Sequence, residues 1–213
     1  MRWKTTNTSR LTKSLKWQFS ATTSKKFSNT FKNATWGGKN PYNSAKNRGI
    51  FVNLIVVVDK NWGIGKNNNL LFRLKKDMAF FKQTTTGKVV VMGANTFSSF
   101  PHGALPNRVN IVLDDSGREH DGAITVSNIT QLDEALLKYD SEDIFVIGGA
   151  TFYALMLDRC KYAFVTKVGA DGEAEVFFPN LDEKKNWRLI EQSDPIPDGE
   201  YEIKFCKYVN MNI

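Results

Sequence analysis

The acid at Asp77 sits in surroundings that suit chemistry. Phe72 and Leu74 precede it, and Met78, Phe80 and Phe81 follow. The spacing predicts a helix from Lys75 to about Thr85, with Asp77 in its first turn and Phe81 one turn on, sharing its face. An acid there needs no catalytic reason, because helix starts favour negative charge. The magnitudes separate the two influences. A helix terminus contributes at most ~1 kcal/mol and lowers a carboxyl's pKa by less than about one unit. Burial in an apolar cleft raises it by as much as about 3–5 units, so desolvation wins if the cleft is dry. A carboxyl poised in that way suits acid catalysis or the gripping of a cationic heterocycle.

Two other segments carry the same kind of promise. Ile147-Gly-Gly-Ala150 closes an apolar run and opens a helical one. Paired glycines there let the backbone approach a ligand and leave N–H groups for phosphate, although helix entry or tight packing explains them equally well. Trp62-Gly-Ile-Gly65, followed by Asn67-Asn-Asn69, has little preference for regular structure. Its neighbours Ile64, Leu70, Leu71 and Phe72 are too apolar for a solvated connection, so the loop is expected to close over something.

These residues need elements to hold them. Phe51 to Val58, Lys88 to Met92, Val109 to Leu113, Ala123 to Val126, Asp143 to Ile147 and Tyr162 to Val168 read as strands. Between them, Lys75 to Thr85, a short segment after Gly93-Ala-Asn-Thr96, Ile129 to Tyr139 and Ala150 to Leu157 read as helices. Trp187 to Glu191 and Tyr201 to Val209 read as an antiparallel pair. Strands alternating with helices, then a hairpin, imply an α/β fold: an eight-stranded, mostly parallel sheet with an antiparallel C-terminal edge and helices on both faces. Such a sheet binds ligands at the carboxyl ends of its strands, which directs attention to the loops after Val58, Met92, Leu113 and Ile147.

The 213 residues allow one domain or two small ones, and no apolar run approaches membrane-spanning length. Cys160 and Cys206 are far apart without metal-like spacing, which fits small core residues in a reducing compartment such as the cytoplasm. His102 and His120 both lie in polar, turn-like stretches, so neither a metal site nor a serine–histidine triad is expected. The net charge of +7 is misleading until it is located. Residues 1–49 hold 11 bases and no acid, so the remaining 18 bases against 22 acids leave −4 on the body. The expected division is therefore a basic, disordered extension over 1–49 and a catalytic domain over 50–213. The extension reads three ways: a tail without a specific role, an organelle leader, or a nucleic-acid arm with Trp3, Trp17 and Trp36 for stacking.

Taken together the motifs resemble dihydrofolate reductases. Asp59 to Gly65, then Leu71-Phe-Arg-Leu-Lys-Lys-Asp77 with Phe80-Phe-Lys82, is similar to that family's substrate region. Val91-Met-Gly93 with Thr96-Phe97, Leu105-Pro-Asn-Arg108, Asn110 to Leu113, Val146-Ile-Gly-Gly149 and Phe177-Phe-Pro179 follow in the family's order over roughly residues 51–209. The resemblance implies hydride transfer from NADPH to 7,8-dihydrofolate, giving tetrahydrofolate, by a monomeric cytoplasmic oxidoreductase of one-carbon metabolism. It implies that Asp77 binds the pterin and supports its protonation, with Thr166 bonded to that carboxylate. Ile55, Val56, Phe72, Met78, Phe81, Phe100, Leu105 and Ile147 would line the folate cleft, and Arg108 would clamp the glutamate α-carboxylate. Val57, Ile64, Asn68, Asn69 and Leu70 would face nicotinamide and ribose. Gly93, Ala94, Asn95 and Thr96, Leu113 and Asp114, and Gly148, Gly149, Ala150, Thr151 and Phe152 would take the rest of the cofactor, with Tyr153 near the nicotinamide end. Gly148–Gly149 matches a cis peptide of the family, and no metal is implied.

The departures are as informative. Leu71-Phe72 replaces the family's usual Pro-Trp, keeping an aromatic wall without an indole donor. Ala94-Asn95 and Asp114-Asp115 stand where the family commonly grips the cofactor's 2′-phosphate with basic and hydroxyl side chains. The expectation is a weakened preference for NADPH over NADH, with Arg118 as compensation. A related pterin or pyrimidine reductase of the same fold, or a basic-tailed nucleic-acid binder with a degenerate reductase domain, remain the alternatives, because fold alone does not fix substrate.

Overall fold

The computed structural model describes residues 50–213; the expectations for 1–49 fall outside the described residues. Its eleven strands are β1 Val52–Val58, β2 Gly63–Gly65, β3 Val89–Gly93, β4 Val109–Leu113, β5 Ile124–Val126, β6 Ile144–Gly148, β7 Cys160–Val168, β8 Val176–Phe177, β9 Trp187–Gln192, β10 Ile196–Asp198 and β11 Tyr201–Asn210. The helices are α1 Lys75–Thr85, α2 Ala94–Ser98, α3 Ile129–Leu136 and α4 Ala150–Met156.

The main sheet runs β10-β11-β7-β1-β6-β3-β4-β5. Every pairing from β7 to β5 is parallel, and β11 runs antiparallel to β7. β10 pairs with the first residues of β11 and β9 with its last, so the two share one edge and the sheet is eight strand positions wide. β1 is Val-Asn-Leu-Ile-Val-Val-Val, and all but one of its residues are buried. Branched side chains stiff at χ1 suit that place, since both faces of a parallel sheet are covered. Each such side chain removed from water contributes about 1.5–3 kcal/mol.

Because β1, β3, β4 and β6 run in one direction, the loops after Val58, Gly93, Leu113 and Gly148 emerge along one edge. The loop after β1 contains an element that its sequence hides. β2 pairs with β8, strapping residues 59–66 to the segment around 171–178. Buried Asp59 holds the strap: Oδ1 accepts from the amides of Asn61 and Gly63 at 2.7 Å, and Oδ2 accepts from Gly172 N at 3.1 Å. A Cβ at Gly63 would stand 2.2 Å from Ala174 Cβ, so glycine is required by the close approach of the two loops.

His120 corrects the sequence reading. It lies in a turn-like stretch, yet it is buried, with Nε2 2.7 Å from Asp114 Oδ2 and its ring edge-on to Phe97. Both cysteines are buried and free. Among the described residues, no helix is long and apolar enough to cross a membrane.

Candidate active site

α1 packs unusually. Its two buried residues are polar, Asp77 and Thr85, and Phe81 between them is half-buried. Spaced by four, the three form one stripe along the helix face, about 12 Å from end to end at 1.5 Å per residue.

At the first end, Asp77 is 7% exposed. Desolvation pushes its pKa from 3.8 up to about 6, against the pull of the Thr166 hydroxyl. That hydroxyl, on β7, is itself buried and meets no partner in hydrogen-bonding geometry among the described residues, although it lies near enough to the carboxyl to oppose part of the rise. A buried hydroxyl without a partner beside a buried acid is what a site for a polar heterocycle requires, since such a group is costly to leave unpaired. The expected Thr166–carboxylate bond is thus a proximity here.

At the other end, Arg108 is anchored. Nε donates to Thr85 Oγ1 at 2.9 Å and one terminal nitrogen to Pro106 O at 2.9 Å, while the guanidinium lies 5.7 Å from the Phe81 ring centre. A carboxyl, an aromatic ring and a guanidinium therefore follow one another along the stripe.

On β1, Ile55 is buried and by strand alternation shares the face of Val57, whereas Val56, expected to line the cleft, packs on the opposite face in the core cluster of Phe152 and Tyr153. Phe100, Leu105 and Ile147 are half-buried and pack against the cluster of Val90, Met92, Phe97 and Val112. Phe72 is buried with Leu74, Val168 and Ile203, and half-buried Val57 packs on that group. Met78, in contrast, is 55% exposed and Leu70 69%. Ile64 is half-buried, while Asn68 and Asn69 are exposed at the tip of the strapped loop, Asn68 with φ +59°.

The glycine pair sits where parallel β3 and β6 place two helix starts side by side. The Gly148–Gly149 peptide is cis. A Cβ on Gly148, whose φ is +138°, would meet Thr96 Oγ1 at 3.1 Å, and one on Gly149 would meet it at 3.0 Å. Neither α2, which begins after Gly93, nor α4 is capped by a side chain. Gly93, Ala94, Asn95 and Thr96 thus converge with Gly149, Ala150 and Thr151 on a surface of backbone and small side chains, which fits a diphosphate. Gly148→Ala is expected to cost about 1–3 kcal/mol from its backbone alone. It should also raise the KM for the nicotinamide cofactor more than that for the folate; equal changes in both would detach this peptide from the cofactor.

Three predicted cofactor residues point elsewhere. Tyr153 is buried, and its hydroxyl donates to Ile55 O at 2.7 Å, so the phenol ties α4 to β1 instead of facing a cavity. Phe152 is likewise buried in the core. Asp114, following Leu113 at the end of β4, turns its carboxylate inward to Ser116 N and Oγ and to His120. Those bonds and Arg118, 3.6 Å away, hold its pKa down to about 2.

A family model described as dihydrofolate reductase matches residues 51–210. The chain belongs to the dihydrofolate reductase family. It is 34% identical over 164 residues to the dihydrofolate reductase of Bacillus subtilis, covering 76% of this chain and 95% of that one. It is also 34% identical over 157 residues to that of Haemophilus influenzae, covering 73% and 86%. The structure of dihydrofolate reductase from Enterococcus faecalis complexed with NADP(H) and RAB-propyl is similar at a TM-score of 0.68 and 26% identity, over 76% of this chain and 97% of that one. The eight-position sheet and the reduction of dihydrofolate by an oxidoreductase, both expected from the sequence, therefore stand.

Proposed function

We propose that this reductase binds 7,8-dihydrofolate along the α1 stripe, with Asp77 holding the pterin and Arg108 the glutamate, and binds NADPH at the edge formed by β1, β3, β4 and β6. The observation that carries the reading is the Asp77–Phe81–Thr85 stripe ending on Arg108. A protonatable acid marks one end of a helix stripe about 12 Å long and a guanidinium bound to Thr85 marks the other, a spacing that suits a two-ring heterocycle joined through a benzoyl group to an amino acid. NADPH, when bound, supplies the hydride.

The chain's own residues do the rest. Asp77, poised near neutrality, accepts the pterin's amino and ring N–H groups and, through water, supports protonation of the ring nitrogen beside the carbon that receives hydride. Thr166 Oγ1 gains in the bound pterin the partner it lacks. The Arg108 fork pairs with a carboxylate through two parallel bonds. Ile55, Phe72, Phe81, Phe100, Leu105 and Ile147 keep the cleft dry, which preserves the raised pKa of the acid. Val57, Ile64, Asn68, Asn69 and Leu70 close the strapped loop over the nicotinamide.

The adenosine end offers little positive charge to reward a 2′-phosphate: among the described residues assigned to it, Arg118, 3.6 Å from Asp114, is the compensating base. Ala94 and Asn95 are uncharged, and Asp114 is engaged with Ser116 and His120. Each absent base forgoes about 1.5–3 kcal/mol, or roughly 10–150-fold in discrimination. Oxidation of NADPH and of NADH by dihydrofolate, followed at the nicotinamide absorbance, tests both parts of the reading. Turnover is expected with each cofactor, at kcat/KM values within about tenfold. Absence of turnover overturns the whole assignment, and a strong NADPH preference overturns the relaxed specificity.

Action as a monomer in the cytoplasm completes the proposal; the two buried, unpaired thiols support the compartment, and the −4 charge of residues 50–213 offers no attraction to nucleic acid. Residues 1–49 are an extension outside the catalytic unit, and any nucleic-acid or targeting role belongs to their basic charge.

A further inference from the structure

The start of α1 is held by a residue 123 positions away. Leu74 provides no side-chain cap, yet three backbone N–H groups of the first turn donate to Asp198: Lys75 N to Oδ1 at 3.1 Å, and Lys76 N at 2.7 Å and Asp77 N at 3.4 Å to Oδ2. Asp198 ends β10 and is 5% exposed. Lys76 adds a second tie, its Nζ donating to Pro197 O at 2.6 Å. The neighbouring hairpin thus pushes a full negative charge into the helix start that carries Asp77.

We infer that Asp198 is a positioning residue for the proton chemistry of Asp77, capping the first turn of α1 while its charge favours the protonated form of the Asp77 carboxyl. This rests on the reading of Asp77 given above. The physical case is a comparison of charges. An uncapped helix start presents about +0.5 of an elementary charge and would stabilise an ionised Asp77. Asp198 consumes those N–H groups and brings a whole negative charge, so the sign of the local field reverses. Its repulsion adds to the larger effect of burial on Asp77.

Among the described residues, no other element supplies a charge that does the same. From β7 comes the neutral Thr166 hydroxyl, and from α4 the Tyr153 phenol, which burial keeps protonated and which is bonded to Ile55 O. β11 packs Phe205 on Phe80; Lys207, further along that strand, pairs with Glu191 and lies over the Tyr162 and Phe164 rings. Arg108 is bound to Thr85, two turns away. On α1 itself Lys75 and Lys76 are exposed.

The test is the pH dependence of single-turnover hydride transfer in full-length protein carrying Asp198→Asn, Asp198→Ser or Asp198→Glu. Asn and Ser cap helices well without charge, and Glu keeps the charge. In the two neutral variants the midpoint should move to lower pH, reducing the rate on its alkaline side about three- to tenfold, the equivalent of roughly half to one unit. Asp198→Glu should stay near the wild-type midpoint. A lower melting temperature with unmoved midpoints would leave Asp198 a cap and nothing more. Should the variants not fold, carboxyl-carbon NMR of the wild type decides: the Asp198 signal must show an inflection at the Asp77 midpoint, and a flat signal overturns the inference. Retained turnover in Asp77→Asn would instead sink the reading of Asp77, so the two failures are distinguishable.

Discussion

Asp77→Asn is expected to cost on the order of 10²–10⁴ in turnover near neutral pH, with the fold intact. An amide keeps the shape of the side chain and can still accept a hydrogen bond, but it has no proton to exchange in this range. The pH profile should lose its inflection near the raised pKa of about 6. Stability should move the other way. The carboxyl has an ordinary value of 3.8 and is raised to about 6 in the fold, so the folded chain holds its proton more tightly than the unfolded chain does. Ionising Asp77 therefore opposes folding: the penalty is absent below the lower value, grows between the two, and is complete above the higher one at roughly 3 kcal/mol. Thermal unfolding of the two proteins against pH should show Asp77→Asn the more stable above about pH 6, converging with the wild type below about pH 4. Near-normal turnover would remove Asp77 from the mechanism, and a stability gap independent of pH would mean the carboxyl is not ionising inside a dry site.

Arg108→Leu is expected to separate the two halves of the substrate. A charge-assisted pair is worth about 1.5–3 kcal/mol, so kcat/KM for dihydrofolate should fall roughly 10–150-fold while a reduced pterin without its glutamate changes little. Arg108 also holds Thr85 and the carbonyl of Pro106, so a loss common to both substrates would reassign it to supporting the end of α1. Arg108→Lys sharpens the comparison. Lysine retains the charge but not the planar fork, and it should recover only part of the lost affinity.

Much of this was legible in the chain before folding, where the signal was local. α1 begins and ends at Lys75 and Thr85 as its spacing implies, and β4 spans Val109–Leu113 as its branched residues imply. The direction of the Asp77 shift followed from the aromatic side chains around it in sequence, and the −4 charge of the body from counting.

What the sequence could not express lies in contacts between distant segments. Val176-Phe177 pairs with a glycine loop more than a hundred residues earlier, and two residues of strand leave too short a pattern to read. Asp198 stands before Gly199 with nothing in sequence to mark it, while the family resemblance implies Asp114 at the cofactor's phosphate and Tyr153 near its nicotinamide end. Folding turned them toward the first turn of α1, toward Ser116 and His120, and toward the carbonyl of Ile55. Residue type and spacing determined which groups are available and which elements carry them, because helix and strand periods are local properties of the backbone. Which partner each buried polar group takes was decided by tertiary structure alone, since desolvation forces a choice that only the packed neighbours can supply.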